Sequence, residues 1–499
     1  MQLLSTILNL TILYSVAGSA TIARSVINDY SKVGLSSVLI QLAPATPPTI
    51  STNSRSMVEE DLDLHAENVY STLVKHSESS KTNVKKALDQ AKSKGLIKNY
   101  RYYLISNTFA VEAPKELIDT IAKLPEVEEI TSNKQFRAPT QGNGEQGAGQ
   151  AGDTTWDGKE IHWSLKYINA TDIPRHVSLA ASRLRYANAD TGVDFTHPAL
   201  SKNYLGNKNG KLSHDYYWWD ANKVANATKP NKICGIDSQV PCDDNNHGTH
   251  CMGSAVGGLN LGVSPTTPWM ACKNMDQNFG SPESYLGCLQ FLLAPTNLYG
   301  TNPKPRLRPH VIGNSYYCPG EEGCSRSTFK YALRALKSAG IFMSVCAGND
   351  GKLGCSSILS PPATEPTSFT VAASKYLSND RAAFSSMGPV PERPEFAIDI
   401  TAPGVNITSS IPGGKYAVFQ GTSMATPHVA GAALLVIAAC PHLNRRVDLI
   451  AKVLRESATP NYSNLGCGKD LATSLPNNEY GFGILNVAKA LKLCKKTWY

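Results

Sequence analysis

Apolar residues crowd the run Ser36-Ser-Val-Leu-Ile-Gln-Leu42, which predicts a first strand. A stretch rich in Pro, Thr and Ser follows from Pro44 to Ser56 and reads as a loop. Between Glu60 and Gly95, Leu62, Val69, Leu73, Val84 and Leu88 recur among polar residues at helical intervals. Tyr102 to Val111 alternates as a strand does, Lys115 to Leu124 has a helical pattern, and Val127 to Phe136 reads as extended. Together these elements predict a small α+β domain over residues 36–138, a usual size for one folding unit. Thr140 to Asp157 is rich in Gly and Gln with almost no large apolar residue, so 139–159 is expected to be a linker. From there to about Cys494, short apolar runs alternate with helical patterns. That alternation predicts an α/β domain over 160–494, a mainly parallel sheet between two layers of helices.

The start of the chain changes this picture. Leu3 to Gly18 is mostly apolar and leads into the small residues Ala17-Gly18-Ser19-Ala20, so residues 1–20 are expected to be a signal peptide, although no Lys or Arg precedes the apolar run. The longest internal apolar stretch, Ala430 to Ala439, is too short to span a bilayer, and no membrane span is expected. Apolar residues at 41% and charged residues at 18% place the chain among globular proteins. All twelve cysteines lie between Cys234 and Cys494, an even number that points to disulfides and an extracellular, secreted protein. Cys234 with Cys242 and Cys318 with Cys324 are plausible short loops, and Cys251 is a candidate unpaired thiol. Sequons at Asn169, Asn226, Asn406 and Asn461 fit a glycoprotein. Of the net charge of +8, residues 57–138 contribute −1, with 12 basic and 13 acidic residues, so a surplus of +9 belongs to the rest of the chain. It is spread thinly there, without interleaved aromatics, which excludes a nucleic-acid partner.

Three motifs carry candidate chemistry. Asp190-Thr-Gly-Val-Asp-Phe-Thr-His-Pro-Ala-Leu200 suits a carboxylate at the carboxyl end of a buried strand, where ligands gather in α/β sheets, though a plain turn would explain it as well. Asn246-His-Gly-Thr-His-Cys-Met-Gly253 puts His247 at a helix start. His247 and His250 could be metal ligands or core histidines, but no Glu lies between them. Gly421-Thr-Ser-Met-Ala-Thr-Pro-His-Val-Ala-Gly431 sets an exposed Ser423 just before a buried helix, whose N-terminal N–H groups favour negative charge. That is a poor structural choice and a good position for a nucleophile.

At these residues the chain resembles the subtilisin family of serine proteases, over roughly Trp163 to Leu491. His214-Asp-Tyr-Tyr-Trp-Trp-Asp220, Trp269-Met-Ala-Cys-Lys273 and Phe291-Leu-Leu-Ala-Pro295 look closest to its bacillopeptidase F-like branch. The resemblance implies a subtilisin-like three-layer fold and a serine endopeptidase acting on proteins or peptides. Ser423 would be the nucleophile, His247 the base and Asp190 the residue that orients it. It implies that Asn349, in Cys346-Ala-Gly-Asn349, lends its amide to an oxyanion hole, and that Ser315, Tyr316 and Tyr317 face substrate. Tyr317 stands where the family often has Gly, which would narrow the pocket. The 36–138 unit resembles the family's propeptide, an intramolecular inhibitor, making the chain a self-processed zymogen. No cofactor is required for the chemistry. A structural calcium is possible, with Asp243 and Asp244 as candidate ligands if they are not simply solvated. Two departures stand out: Ser182 to Ala189 is polar for a buried strand, and Ser386-Met-Gly388 replaces a common basic position. A pseudoenzyme on the same scaffold is the competing reading.

Overall fold

The computed structural model describes residues 20–50, 58–137, 154–224, 230–325 and 328–496. The expected signal peptide and most of the expected linker lie outside these residues. The N-terminal unit contains β1 (Thr21–Ile22), α1 (Arg24–Val33), β2 (Leu35–Leu42), α2 (Glu59–Ser80), α3 (Thr82–Ser93), β3 (Tyr100–Tyr103), β4 (Thr108–Pro114), α4 (Lys115–Ile121) and β5 (Val127–Ser132). Its five strands run in the order β1-β5-β2-β4-β3. The expected first strand is therefore the second. β1 adds in parallel beside β5, and α1 packs behind it with Val26 fully buried.

Two further expectations change for physical reasons. The single helical pattern over 60–95 divides at Lys81 because its two halves serve different cores. Val69 and Leu73 of α2 join the large core of the second unit, whereas Val84, Leu88 and Ala91 of α3 close the N-terminal unit's own core. The alternation over 102–111 is a hairpin, not one strand. The turn runs through Leu104 to Asn107, and Asn107 takes φ 56°, a left-handed conformation that Asn tolerates.

The second unit is built on a seven-stranded sheet. Its strands are β7 (Tyr186–Asp190), β8 (Trp218–Asp220), β9 (Trp269–Lys273), β11 (Val311–Asn314), β12 (Phe342–Cys346), β13 (Phe369–Ser374) and β14 (Ile400–Pro403). They lie in the order β8-β9-β7-β11-β12-β13-β14, every pairing parallel. Small and apolar residues fill these strands because both faces are covered. The polarity of 182–189 resolves here: the strand starts only at Tyr186, and Ser182 to Arg185 lie before it. Helices α5 (His247–Val256) and α8 (Thr422–Ala439) pack together against the sheet, and α6 (Pro282–Leu293) and α7 (Lys330–Ser338) form a second pair. The short strand β6 (Phe136–Arg137), at the end of the N-terminal unit, pairs antiparallel with β10 (Phe279–Gly280) of this unit. A hairpin of β15 (Ile407–Ile411) and β16 (Lys415–Phe419) precedes α8.

By length and composition α8 is apolar enough to cross a membrane, longer than the sequence suggested. It is 94% buried within the protein and serves as the core helix. Disulfides join Cys234–Cys242 and Cys318–Cys324, as the spacing suggested, and also Cys272–Cys288, Cys355–Cys467 and Cys440–Cys494. Two buried thiols remain free, the expected Cys251 and also Cys346.

The N-terminal sheet docks over α6. Glu283, in the first turn of that helix and nearly buried, binds the Arg101 guanidinium, accepts from the Tyr103 hydroxyl at 2.8 Å and from Asn133 Nδ2 at 3.0 Å. Gln290, two turns further, accepts from the Leu104 main-chain N–H at 2.6 Å.

Candidate active site

Asp190 ends β7 and is 1% exposed. Its Oδ1 accepts from the Thr191 N–H at 2.7 Å and meets His247 Nδ1 at 2.7 Å. His247 opens α5, as the sequence indicated, behind Asn246 in a left-handed conformation (φ 75°). The strand end and helix start are held against each other by glycine. A Cβ on Gly248 would come within 2.1 Å of the Gly192 carbonyl oxygen, so the two motifs meet backbone to backbone.

Burial opposes a charge on the His247 imidazole, and the Asp190 carboxylate outweighs it, holding the pKa well above the ordinary histidine range. Cys251 lies behind the ring, its Sγ 3.9 Å from Nδ1. Burial pushes that thiol's own pKa up, so it stays neutral and Asp190 is the operative charge.

Ser423 is not ahead of its helix and not exposed, as the sequence had suggested. It is the second residue of α8 and 0% exposed. Its hydroxyl donates to the Ser315 carbonyl at 3.0 Å, and the Ser315 hydroxyl returns a bond to the Ser423 carbonyl at 3.0 Å. That carbonyl is available because Pro427, four residues on, has no N–H to give it. The Cys251 thiol is its second donor, at 3.5 Å. Cys251 thus touches both the His247 ring and the Ser423 main chain.

Asn349 follows β12, on the loop after Ala347-Gly348. Its Oδ1 accepts from both the N–H and the hydroxyl of Thr422, each at 3.0 Å. Two donors on one atom fix the orientation of the planar carboxamide, and with it the direction of its NH2. Ser423's own N–H lies in the first turn of α8, at the positive end of the helix. Ser386 secures the Asn349 loop from the other side, accepting from the Asp350 N–H at 3.0 Å while its own N–H binds the Gly348 carbonyl at 3.0 Å.

β11 stops at Asn314, and Ser315 to Tyr317 run on beyond it without strand pairing. The Tyr316 ring is closed off from solvent. It is 4% exposed and stacked on Tyr285 with centroids 4.3 Å apart, so only its main chain is available to a ligand. Tyr317 is half-buried.

The sequence did not single out the network that ties Asp190 to His247 from outside. Asp243 accepts from Thr191 Oγ1 (2.8 Å), Thr249 N (2.9 Å), Thr249 Oγ1 (2.6 Å), Asn245 N (3.0 Å) and Asn246 N (3.1 Å), and Thr191 Oγ1 in turn accepts from Gly248 N (2.9 Å). Asp244 is fully buried against the Lys273 ammonium at 2.6 Å and accepts from the Gln277 N–H at 2.9 Å. These two carboxylates are not solvated loop charges, since their oxygens face protein donors and an ammonium. His250, the other histidine of its motif, faces the main-chain carbonyls of Ile407 and Ala417 at 3.0 and 3.1 Å, a structural role.

Comparison with known proteins agrees with this geometry. The profile of the Subtilase family matches residues 187–483, and that of Peptidase inhibitor I9 matches residues 15–138. Bacillopeptidase F of Bacillus subtilis (strain 168) is 32% identical over 440 residues, which is 85% of this chain and 28% of that protein. Subtilisin amylosacchariticus of Bacillus subtilis subsp. amylosacchariticus is 32% identical over 265 residues, 52% of this chain and 57% of the relative. The alkaline serine protease ver112 of Corniculantispora psalliotae is 31% identical over 358 residues, 71% of this chain and 77% of the relative. The chain thus spans less than two thirds of the first two relatives.

Proposed function

The chain belongs to the subtilase family and carries an I9-type inhibitor unit ahead of the subtilase domain, and from that premise we propose that it is a secreted serine endopeptidase made as a self-processed zymogen. The observation that carries the reading is the 2.7 Å bond between Asp190 and His247 beside a thiol that also touches Ser423.

In this reading Ser423 Oγ leaves the Ser315 carbonyl, gives its proton to His247 Nε2 and attacks the peptide carbonyl carbon. Asp190 Oδ1 holds the Nδ1 proton and stabilises the imidazolium that forms. The oxyanion of the tetrahedral intermediate is met by Asn349 Nδ2 and the Ser423 N–H, with the positive end of the α8 dipole behind them. His247 then protonates the leaving amine, an acyl-enzyme on Ser423 remains, and water deprotonated by His247 releases the acid. No metal takes part. Substrate backbone runs along the main chain of Ser315 to Tyr317, with the half-buried Tyr317 restricting the neighbouring side-chain pocket. The N-terminal unit inhibits by occupying that cleft and departs after cleavage beyond Arg137. Exposed Asn169 and Asn406 fit glycosylation during secretion.

A fluorophosphonate probe tests the reading. It is expected to label Ser423 in the processed protein, and Ser423→Ala is expected to accumulate as uncut precursor. An unlabelled Ser423 in folded, processed protein would remove the hydrolase assignment.

A further inference from the structure

The strands that carry the candidate active site at their carboxyl ends carry a second feature at their amino ends. Arg185 immediately precedes β7, while Arg306, Arg308 and His310 precede β11, about 13 Å of strand away from Asn314. Arg445 joins them from the loop before the helix Val447–Glu456, held in a left-handed conformation (φ 63°). Arg308 is 0% and Arg445 1% exposed, and Arg445 Nε is buried without a partner. Buried guanidinium groups keep their charge, so burial and mutual repulsion among these cations must be relieved by anions.

Within the subtilase unit, the guanidinium groups of Arg185, Arg308 and Arg445 donate to main-chain carbonyls. Arg185 donates to the carbonyls of Arg308 (3.1 Å) and Arg306 (2.8 Å), and Arg308 Nε to that of Ala339 (2.8 Å). The carboxylates come from the other unit. Asp63 of α2 accepts from Arg308 at 2.9 Å, and Arg308 also donates to the Leu62 carbonyl at 2.8 Å. Glu67 grips Arg306 with both oxygens, at 2.6 and 3.2 Å. Glu59 bonds Asn444 at 2.5 Å and lies 3.9 Å from His310. Positions 59, 63 and 67 are one helical turn apart and form a single acidic stripe. Beside it, Leu62, Ala66, Val69 and Leu73 bury their side chains.

We propose that this arginine corner is a docking site for acidic helices presenting carboxylates at i, i+4 and i+8, and that α2 is its built-in occupant. The N-terminal unit is thereby held in two separate places: over α6 beside the cleft, and by charge at the far end of the sheet. The inference rests on the zymogen reading only for its consequence, that processing uncovers the site for an acidic helical segment of another protein.

The test starts from full-length Ser423→Ala protein, so self-cutting has no bearing on it. Amide exchange of residues 59–80 is followed at about 0.05 and 0.5 M NaCl. Asp63→Asn with Glu67→Gln is expected to speed that exchange about tenfold or more and remove its salt dependence, leaving β2, β4 and β5 protected. Glu67→Arg is expected to do the same in part, and Arg306→Glu added to it to restore protection. Both residues are partly exposed, so the swap is compatible with folding. In a second arm, a labelled synthetic peptide of residues 58–80 is titrated into processed protein capped with fluorophosphonate. Salt-sensitive binding, lost in the Asp63→Asn/Glu67→Gln peptide, is the expected result. Unchanged exchange in the variants, failure of the charge swap to rescue, or peptide binding indifferent to the two carboxylates would each overturn the proposal. A chain that never cuts itself would instead count against the zymogen reading, and the exchange experiment would still decide the docking site.

Discussion

Pro427 stands four residues after Ser423 in the same helix and has no N–H for it, so the Ser423 carbonyl accepts from Ser315 and Cys251 instead. A helix defect thus fastens three segments of the candidate site. Pro427→Ala is expected to return that carbonyl to the helix ladder and loosen Ser315. Thermal stability should hold or rise, because interior proline costs a helix about 3 kcal/mol. The value of kcat/KM should fall about tenfold, through KM more than kcat, since Ser315 is proposed to line the substrate path. Calorimetry and steady-state kinetics on one preparation check both halves.

Asn349 is aimed by Thr422. Asn349→Leu should lower kcat by about 100- to 1,000-fold with little change in KM, a magnitude taken from subtilisin itself. Thr422→Val keeps the main-chain donor and removes the hydroxyl donor, so a loss of only about 3- to 10-fold is expected. If the Val variant fell as far as the Leu variant, the orientation argument would be wrong.

Asp190→Asn should reduce kcat about 10,000-fold while leaving the fold intact. Because Asp190 holds the His247 pKa above its ordinary value of about 6.5, the acid limb of kcat/KM against pH should lie above that value in the native protein and move down in the variant. In the proposed mechanism the neutral imidazole is the base, so activity is lost as pH falls through this limb.

His162 and His428 should make stability depend on pH. His162 Nε2 accepts from the Thr408 N–H at 3.1 Å, so Nδ1 donates to Ser164, whose hydroxyl donates to His428 Nε2, each at 2.7 Å. Burial lowers their pKa values to about 3 and about 4. Below about pH 6.5 the unfolded chain binds protons that the folded chain refuses, so this contribution to stability fades as pH falls from about 6.5 towards 4. Glu365 and Asp276, raised to about 7 and about 6 by burial, act in the opposite sense. The difference between native protein and His162→Gln isolates the histidine. The variant's Tm should fall less steeply over that range, and equal slopes would refute the assignment.

Much of this was legible in the sequence because it is local. Asp190 at a strand end and His247 at a helix start are both set by the residues immediately around them. What escaped depends on partners distant in sequence. Nothing near Asp243 announces that Thr191 and Thr249 will consume its oxygens, or that Lys273 will be buried against Asp244. Ser423 reads as an exposed cap because the Ser315 segment that covers it lies 108 residues away. The break at Lys81 was hidden because both halves of the pattern are equally helical, and only the existence of two cores separates them.

Helix α8 has no solvent-facing side of its own. A surface-mounted nucleophile can be silenced by local fraying, long before the rest of the molecule gives way. Here the candidate nucleophile is rooted in the core helix, so the activity that remains after a period of heating should stay level with rising temperature and then end abruptly, in step with collapse of the whole interior.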